Sequence, residues 1–218
     1  MEYNVKKTDG IKIGAGWNQQ QWQKADAIEL KNFMGKKPEH FPKVQAKVLY
    51  DSDNIYVTFH VDDQYVKAVA QKFNDMVCRD SCVEFFFTPG EDISKGYFNI
   101  EANCGGTIYM YHMEQNGRDG FPLAVEDLQK ITIKTSLPKN IDVEITTPVT
   151  WTAEYKIPME ILEKYAPVKK PAAGVLWRAN FFKCADHTSK PHWLTWSPVD
   201  LPEPDFHQPS FFGSLKFC

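Results

Sequence analysis

A chain of 218 residues with 43% apolar content can bury one substantial core and needs neither a metal nor a disulfide to do so. The formal net charge of −3 and the scattered basic residues exclude the electrostatic footprint of a nucleic-acid binder. No apolar run approaches the roughly 20 residues that a membrane-spanning helix needs, and the five cysteines include no C-x-x-C pair, which leaves no zinc ribbon or complete disulfide framework to expect.

Residues 1–10 have neither the basic start nor the apolar centre of a signal peptide. The sequence as it stands therefore points to the cytoplasm, and to an extracytoplasmic place if further residues precede it. A short helical turn is expected at 18–24. From Val44 onward apolar residues recur with a period of two, the mark of half-buried strands. Over 54–62, Ile55, Val57, Phe59 and Val61 share one face and Tyr56, Thr58, His60 and Asp62 the other. Over Cys82–Thr88, Val83, Phe85 and Phe87 oppose Glu84 and Phe86. Over Tyr97–Asn103, Phe98, Ile100 and Ala102 oppose Tyr97, Asn99, Glu101 and Asn103, and Gly105-Gly106 turns the chain into a strand at 107–113. Further strands are predicted at 131–137, 141–147, 151–157, 175–184 and 211–217, with one helix at 159–165 opened by Pro158. Two sheets must cover each other's apolar faces, so the predicted fold is all-β: a single domain over 1–218, an antiparallel β-sandwich of jelly-roll type with one or two short helices. The long connections 114–129 and 186–208 are expected at its rim.

Strand parity gathers an unusual polar set. Glu84 lies on one side of its strand, Asn99, Glu101 and Asn103 lie together on theirs, and Arg178 and Asn180 oppose Trp177, Ala179 and Phe181. If these strands share a sheet, the carboxyls, amides and guanidinium converge on one face and suit a polyhydroxylated ligand, each hydroxyl of which both donates and accepts. The alternative is a buried Glu–Arg network that fixes sheet packing. Trp193 and Trp196, in the loop at 191–198, can offer a ring to the apolar face of a sugar, Trp196 being the better placed beside Ser197-Pro198. Otherwise they anchor that loop to the core.

The acidic clusters Asp51/Asp53, Asp62/Asp63 and Asp75/Asp80 can coordinate Ca²⁺, but none has an EF-hand loop pattern, and each reads more readily as a solvated turn or Asx cap. Glu84 and Glu101 are also the two carboxylates available to a glycoside hydrolase. The six histidines form no H-E-x-x-H, and Ser81 and Cys82 sit in no strand-turn-helix elbow, which leaves metalloprotease and nucleophile schemes without support.

The order of Trp22, Tyr50-Asp51, Asn54-Ile55-Tyr56-Val57, the block Arg79-Asp80-Ser81-Cys82-Val83-Glu84-Phe85-Phe86, Tyr97-Phe98-Asn99-Ile100-Glu101-Ala102-Asn103 with Gly106, Trp151 to Pro158, Gly174 with Trp177-Arg178-Ala179-Asn180-Phe181, and Thr195-Trp196-Ser197-Pro198 through Phe206-His207 to Phe212-Gly213 resembles the family 9 carbohydrate-binding modules. The likeness runs from about residue 22 to 217. It implies a β-sandwich that binds sugar chain ends without catalysis, in support of carbohydrate catabolism beside glycoside hydrolases, with structural Ca²⁺ in some members. It further implies Glu84 as a hydroxyl acceptor, Asn103 and Asn180 flanking the sugar, and Trp196 as one wall of an aromatic clamp. Relatives place the other Trp just before the Arg79–Phe86 block, where this chain has Cys78. Either a nearby ring such as Phe73, Tyr109 or Tyr111 replaces it, or the site has changed ligand or decayed into an interaction module.

Overall fold

Residues 1–14 and 16–218 are described by the structure, a computed structural model. The strands in chain order are β1 (Glu2–Lys7), β2 (Ile28–Glu29), β3 (Asn32–Phe33), β4 (Lys43–Tyr50), β5 (Asn54–Asp63), β6 (Val66–Ala68), β7 (Cys82–Thr88), β8 (Tyr97–Asn103), β9 (Ile108–Met113), β10 (Gly120–Pro122), β11 (Thr132–Thr135), β12 (Ile141–Ile145), β13 (Val149–Pro158), β14 (Leu176–Cys184), β15 (Trp193–Thr195) and β16 (Gly213–Phe217). The helices are single turns, α1 (Val125–Leu128) and α2 (Met159–Leu162).

Two layers result. One runs β10-β9-β8-β7-β14-β16-β1 and the other β1-β4-β5-β13-β11, with β1 shared between them. Glu2 to Val5 pair in parallel with β16, and Lys6 and Lys7 pair in parallel with β4. These are the parallel exceptions to the antiparallel pattern. The sequence reading missed β1 because only Tyr3 and Val5 alternate there before charges interrupt.

The inner faces meet as their alternation requires. Val83, Phe85 and Phe87 of β7 join Val57, Phe59 and Val61 of β5 in one buried cluster. Across the layers Phe59 meets Phe181 at 6.2 Å between ring centroids, while Phe85 stacks on Phe181 at 4.8 Å and Phe87 on Trp177 at 5.5 Å. Each such buried ring stabilises the fold by about 1.5–3 kcal/mol through removal from water. The expected helical turn is a 3₁₀ turn, Gln20–Lys24, whose Trp22 is fully buried and donates to Oε1 of Glu154 at 2.9 Å.

The outer face of the first layer departs from expectation. The 186–208 connection does not stay at the rim: it contributes β15, which pairs with β14, and then crosses the outer face. There Phe206 stacks on Phe182 at 4.2 Å and, just beyond the connection, Phe212 meets Tyr97 edge-on at 5.4 Å, forming a second apolar cluster with Phe86 and Val199. Part of the polar face is thereby roofed, and part stays open.

Candidate functional site

Register on the outer face sets side chains in rows. One row runs Asn103, Cys82, Cys184, Trp193; the next Tyr109, Glu101, Glu84, Phe182; the next Tyr111, Asn99, Phe86, Asn180. A cleft of about 230 Å³ opens over the first two. Glu84, Glu101 and Cys184 line it at the sheet, and Cys78, Tyr109, Asp186, Trp193, Phe206 and His207 line it around them.

Each group is held by neighbours. The thiol of Cys184 donates to Oε1 of Glu84 at 3.0 Å, and Nδ2 of Asn99 donates to Oε1 of Glu101 at 2.9 Å. Nε1 of Trp193 donates to Oδ1 of Asp186 at 2.8 Å, which orients the half-buried indole. The hydroxyl of Tyr97 meets Nδ1 of His207 at 2.7 Å, and Tyr109 stacks on Tyr111 at 4.5 Å. Cys78 is carried by a 3₁₀ turn, Val77–Arg79, pinned to the end of β14 where the N–H of Asp186 donates to the carbonyl of Cys78 at 3.0 Å.

Electrostatically the floor favours protons. Burial and the charge of Glu101 push the Glu84 carboxyl well above the usual range, and burial pushes Glu101 up to about 8 against the bond from Asn99. Burial likewise raises Asp186 and the thiols of Cys78 and Cys184, and lowers His207. Neutral carboxyls donate as well as accept, which matches hydroxyl ligands.

Of the site residues expected from the sequence, Glu84, Glu101 and Trp193 come together at the cleft. Asn103 instead donates to the carbonyl of Ala70 and to Asp80, and accepts from the N–H of Thr107. Asn180 is sealed under the crossing segment, donating to the carbonyl of Ser197 and accepting from the N–H groups of Phe181 and Ser197. Arg178 donates through Nη2 to the carbonyl of Phe212. Trp196 is a core ring, edge-on to Phe181 at 5.7 Å and 4% exposed, and is not a wall of the cleft. Among the rings weighed as substitutes at Cys78, Tyr109 lines the cleft. Asp186, Cys184, Phe206 and His207 also line it and were not read as site residues. Cys184 was within reach of parity, four residues from Asn180 on the same face, whereas the loop residues carry no periodic signal.

Among the described residues none of the acidic clusters brings three carboxylates together, and a calcium shell needs six to eight converging oxygens. Asp51 accepts from the N–H groups of Asp53 and Asn54 and from Tyr56, Asp75 from the N–H groups of Gln71 and Lys72, and Asp80 from those of Val69 and Ala70. Asp63 faces His40 and Lys183. Cys82, Glu84 and Cys184 place one donor atom each within 4.8 Å of one another, a set too rich in soft sulfur for Ca²⁺.

The profile described as carbohydrate-binding family 9 matches residues 16–217. The chain belongs to that family. Among solved structures, a candidate carbohydrate-binding protein from Bacteroides uniformis ATCC 8492 is similar at 27% identity with a TM-score of 0.85, the match covering 99% of this chain and 98% of that one. A family 9 module from Caldicellulosiruptor kristjanssonii in complex with cellotriose shares the fold at 16% identity and TM-score 0.66, covering 100% and 93%. Its complex with glucose matches at 15% identity and 0.65, covering 100% and 96%. A search of curated proteins finds no match. No helix among the described residues is long and apolar enough to cross a membrane.

Proposed function

We propose that this family 9 member binds a saccharide end without transforming it, in the cleft floored by Glu84 and Glu101. The observation that carries this is the joint presence, around one opening, of paired carboxyls and of half-buried rings from Trp193 and Tyr109. The rings offer apolar faces to the C–H side of a sugar, and the carboxyls bond its hydroxyls. A cleft of about 230 Å³ lies below the usual range of roughly 300–1,000 Å³ for larger ligands, which suits one terminal ring in preference to an internal stretch of chain. On this reading the protein supports carbohydrate catabolism, working beside glycoside hydrolases.

The hydrolase alternative fits the geometry less well. Glu84 and Glu101 are direct cross-strand partners on one floor, whereas glycosidase carboxyls flank the scissile bond, one of them ionised. Both here favour the neutral form. Isothermal titration against mono- and oligosaccharides tests the reading: saturable heats that weaken in Trp193→Ala are expected, and flat heats across the panel overturn it.

A further inference from the structure

The cleft gathers four carboxyls around one opening. Glu84, Glu101, Asp186 and Asp205 all line it, and among the described residues no lysine or arginine does. Asp205 is engaged by the N–H of His207 and by Gln208, and Asp186 by the indole of Trp193. Glu84 and Glu101 are different. They are 2% and 6% exposed, each has one oxygen bonded to Cys184 or Asn99, and the second oxygen of each has no protein partner among the described residues. Lys183, the neighbouring cation on β14, has the opposite parity and is bound to His192 and Asp63.

Like charges directly opposite on paired strands repel, so the pair alone keeps its protons; hydroxyls bond it in that neutral form but bring no countercharge that lets a carboxyl ionise. An ammonium offers both: three donors for the free oxygens, and a positive charge that the faces of Tyr109 and Trp193 also attract. Resting on the saccharide reading above, we propose that this cleft selects a sugar end bearing a free, protonated amine over its neutral and N-acylated counterparts. The acyl group removes the charge and adds bulk where the carboxyls converge.

Calorimetric titration of the whole chain with D-glucosamine, N-acetyl-D-glucosamine and D-glucose tests this near neutral pH, where the amine is still largely protonated and a carboxyl raised to about 8 yields its proton to an arriving cation at small cost. D-Glucosamine is expected to bind about tenfold or more tighter than the other two, the effect of one close charge pair, with an advantage that shrinks as salt is added. In Glu101→Gln the affinity ratio of glucosamine to glucose falls toward one. Should that variant fail to fold, the salt dependence of the unmodified chain decides: an advantage for glucosamine that salt leaves untouched overturns the inference. Equal affinities, a preference for the acetylated sugar, or glucosamine binding that a chelator abolishes also overturns it and leaves the saccharide reading standing. Absence of heat with every sugar overturns both.

Discussion

The ammonium of Lys183 stands 3.5 Å from Oδ2 of Asp63, and neither side chain has any exposure to solvent. Lys183 also donates to the carbonyl of Cys184 at 2.9 Å and meets Nε2 of His192 at 2.7 Å. Burial, reinforced by Lys183, lowers His192 to about 3, which keeps the ring neutral; Nδ1, facing the carbonyl of Lys190 at 3.0 Å, carries the proton and Nε2 accepts. Removing one member of a buried pair strands the other charge, so Lys183→Met is expected to cost about 3–5 kcal/mol in urea denaturation. Lys183→Met with Asp63→Leu should recover much of that. Burial alone would raise Asp63, but Lys183 and His40 outweigh it and hold the carboxyl well below its usual range. This contribution is thus present above the ordinary carboxylate pKa and lost as the pH falls through the depressed one.

Glu101 works in the opposite direction. Burial raises its carboxyl from the ordinary 4.5 to about 8, so the folded chain holds a proton that the unfolded chain releases. Its stabilising share is full below about 4.5 and is lost as the pH rises through about 8. Thermal melts across that window should show the transition of Glu101→Gln falling less steeply than that of the unmodified protein. Parallel curves would show that Glu101 is ionised at little cost in the fold.

The two tryptophans at 193 and 196 should separate binding from stability. Trp193 lines the cleft and Trp196 is packed on Phe181. Trp193→Ala is expected to weaken saccharide binding by about tenfold or more with a near-normal melt, as truncation of a stacking anchor does. Trp196→Ala should cost about 3–5 kcal/mol of stability. Calorimetry and melts on the two purified variants give the comparison directly.

Gly117 packs against the backbone of His207. Its φ is +68°, and a Cβ there would lie 2.2 Å from the carbonyl oxygen of His207, whose ring lines the site. Gly117→Ala must therefore move the backbone at 207 and is expected to weaken saccharide binding. Gly174→Ala carries similar backbone strain, at φ +87°, but has nothing within 4 Å of the added carbon. Titration of the two variants distinguishes displacement of the cleft wall from general strain.

Alternation on β5, β7, β8 and β14 made the sandwich and its polar face legible in the sequence, because parity alone decides which face a strand residue occupies. Parity does not report what covers a face. Asn180 shares the face of Glu84, yet the segment after β15 lies over it and the N–H groups of Phe181 and Ser197 claim its oxygen. Trp193 and Trp196 are three residues apart, so once β15 is recognised as a strand they fall on opposite sides, and only one can meet a ligand at the cleft. Read as a loop, 191–198 gave no such rule. Phe206 and His207 come from a stretch without period and reach the cleft only through tertiary contact with Phe182 and Tyr97.

The shared strand β1 has a mechanical consequence. Glu2 to Val5 run alongside Ser214 to Phe217 in parallel, so tension applied to the two ends of the chain pulls these segments past one another along their length. The evenly spaced bonds of a parallel ladder then bear the load together and do not open one by one.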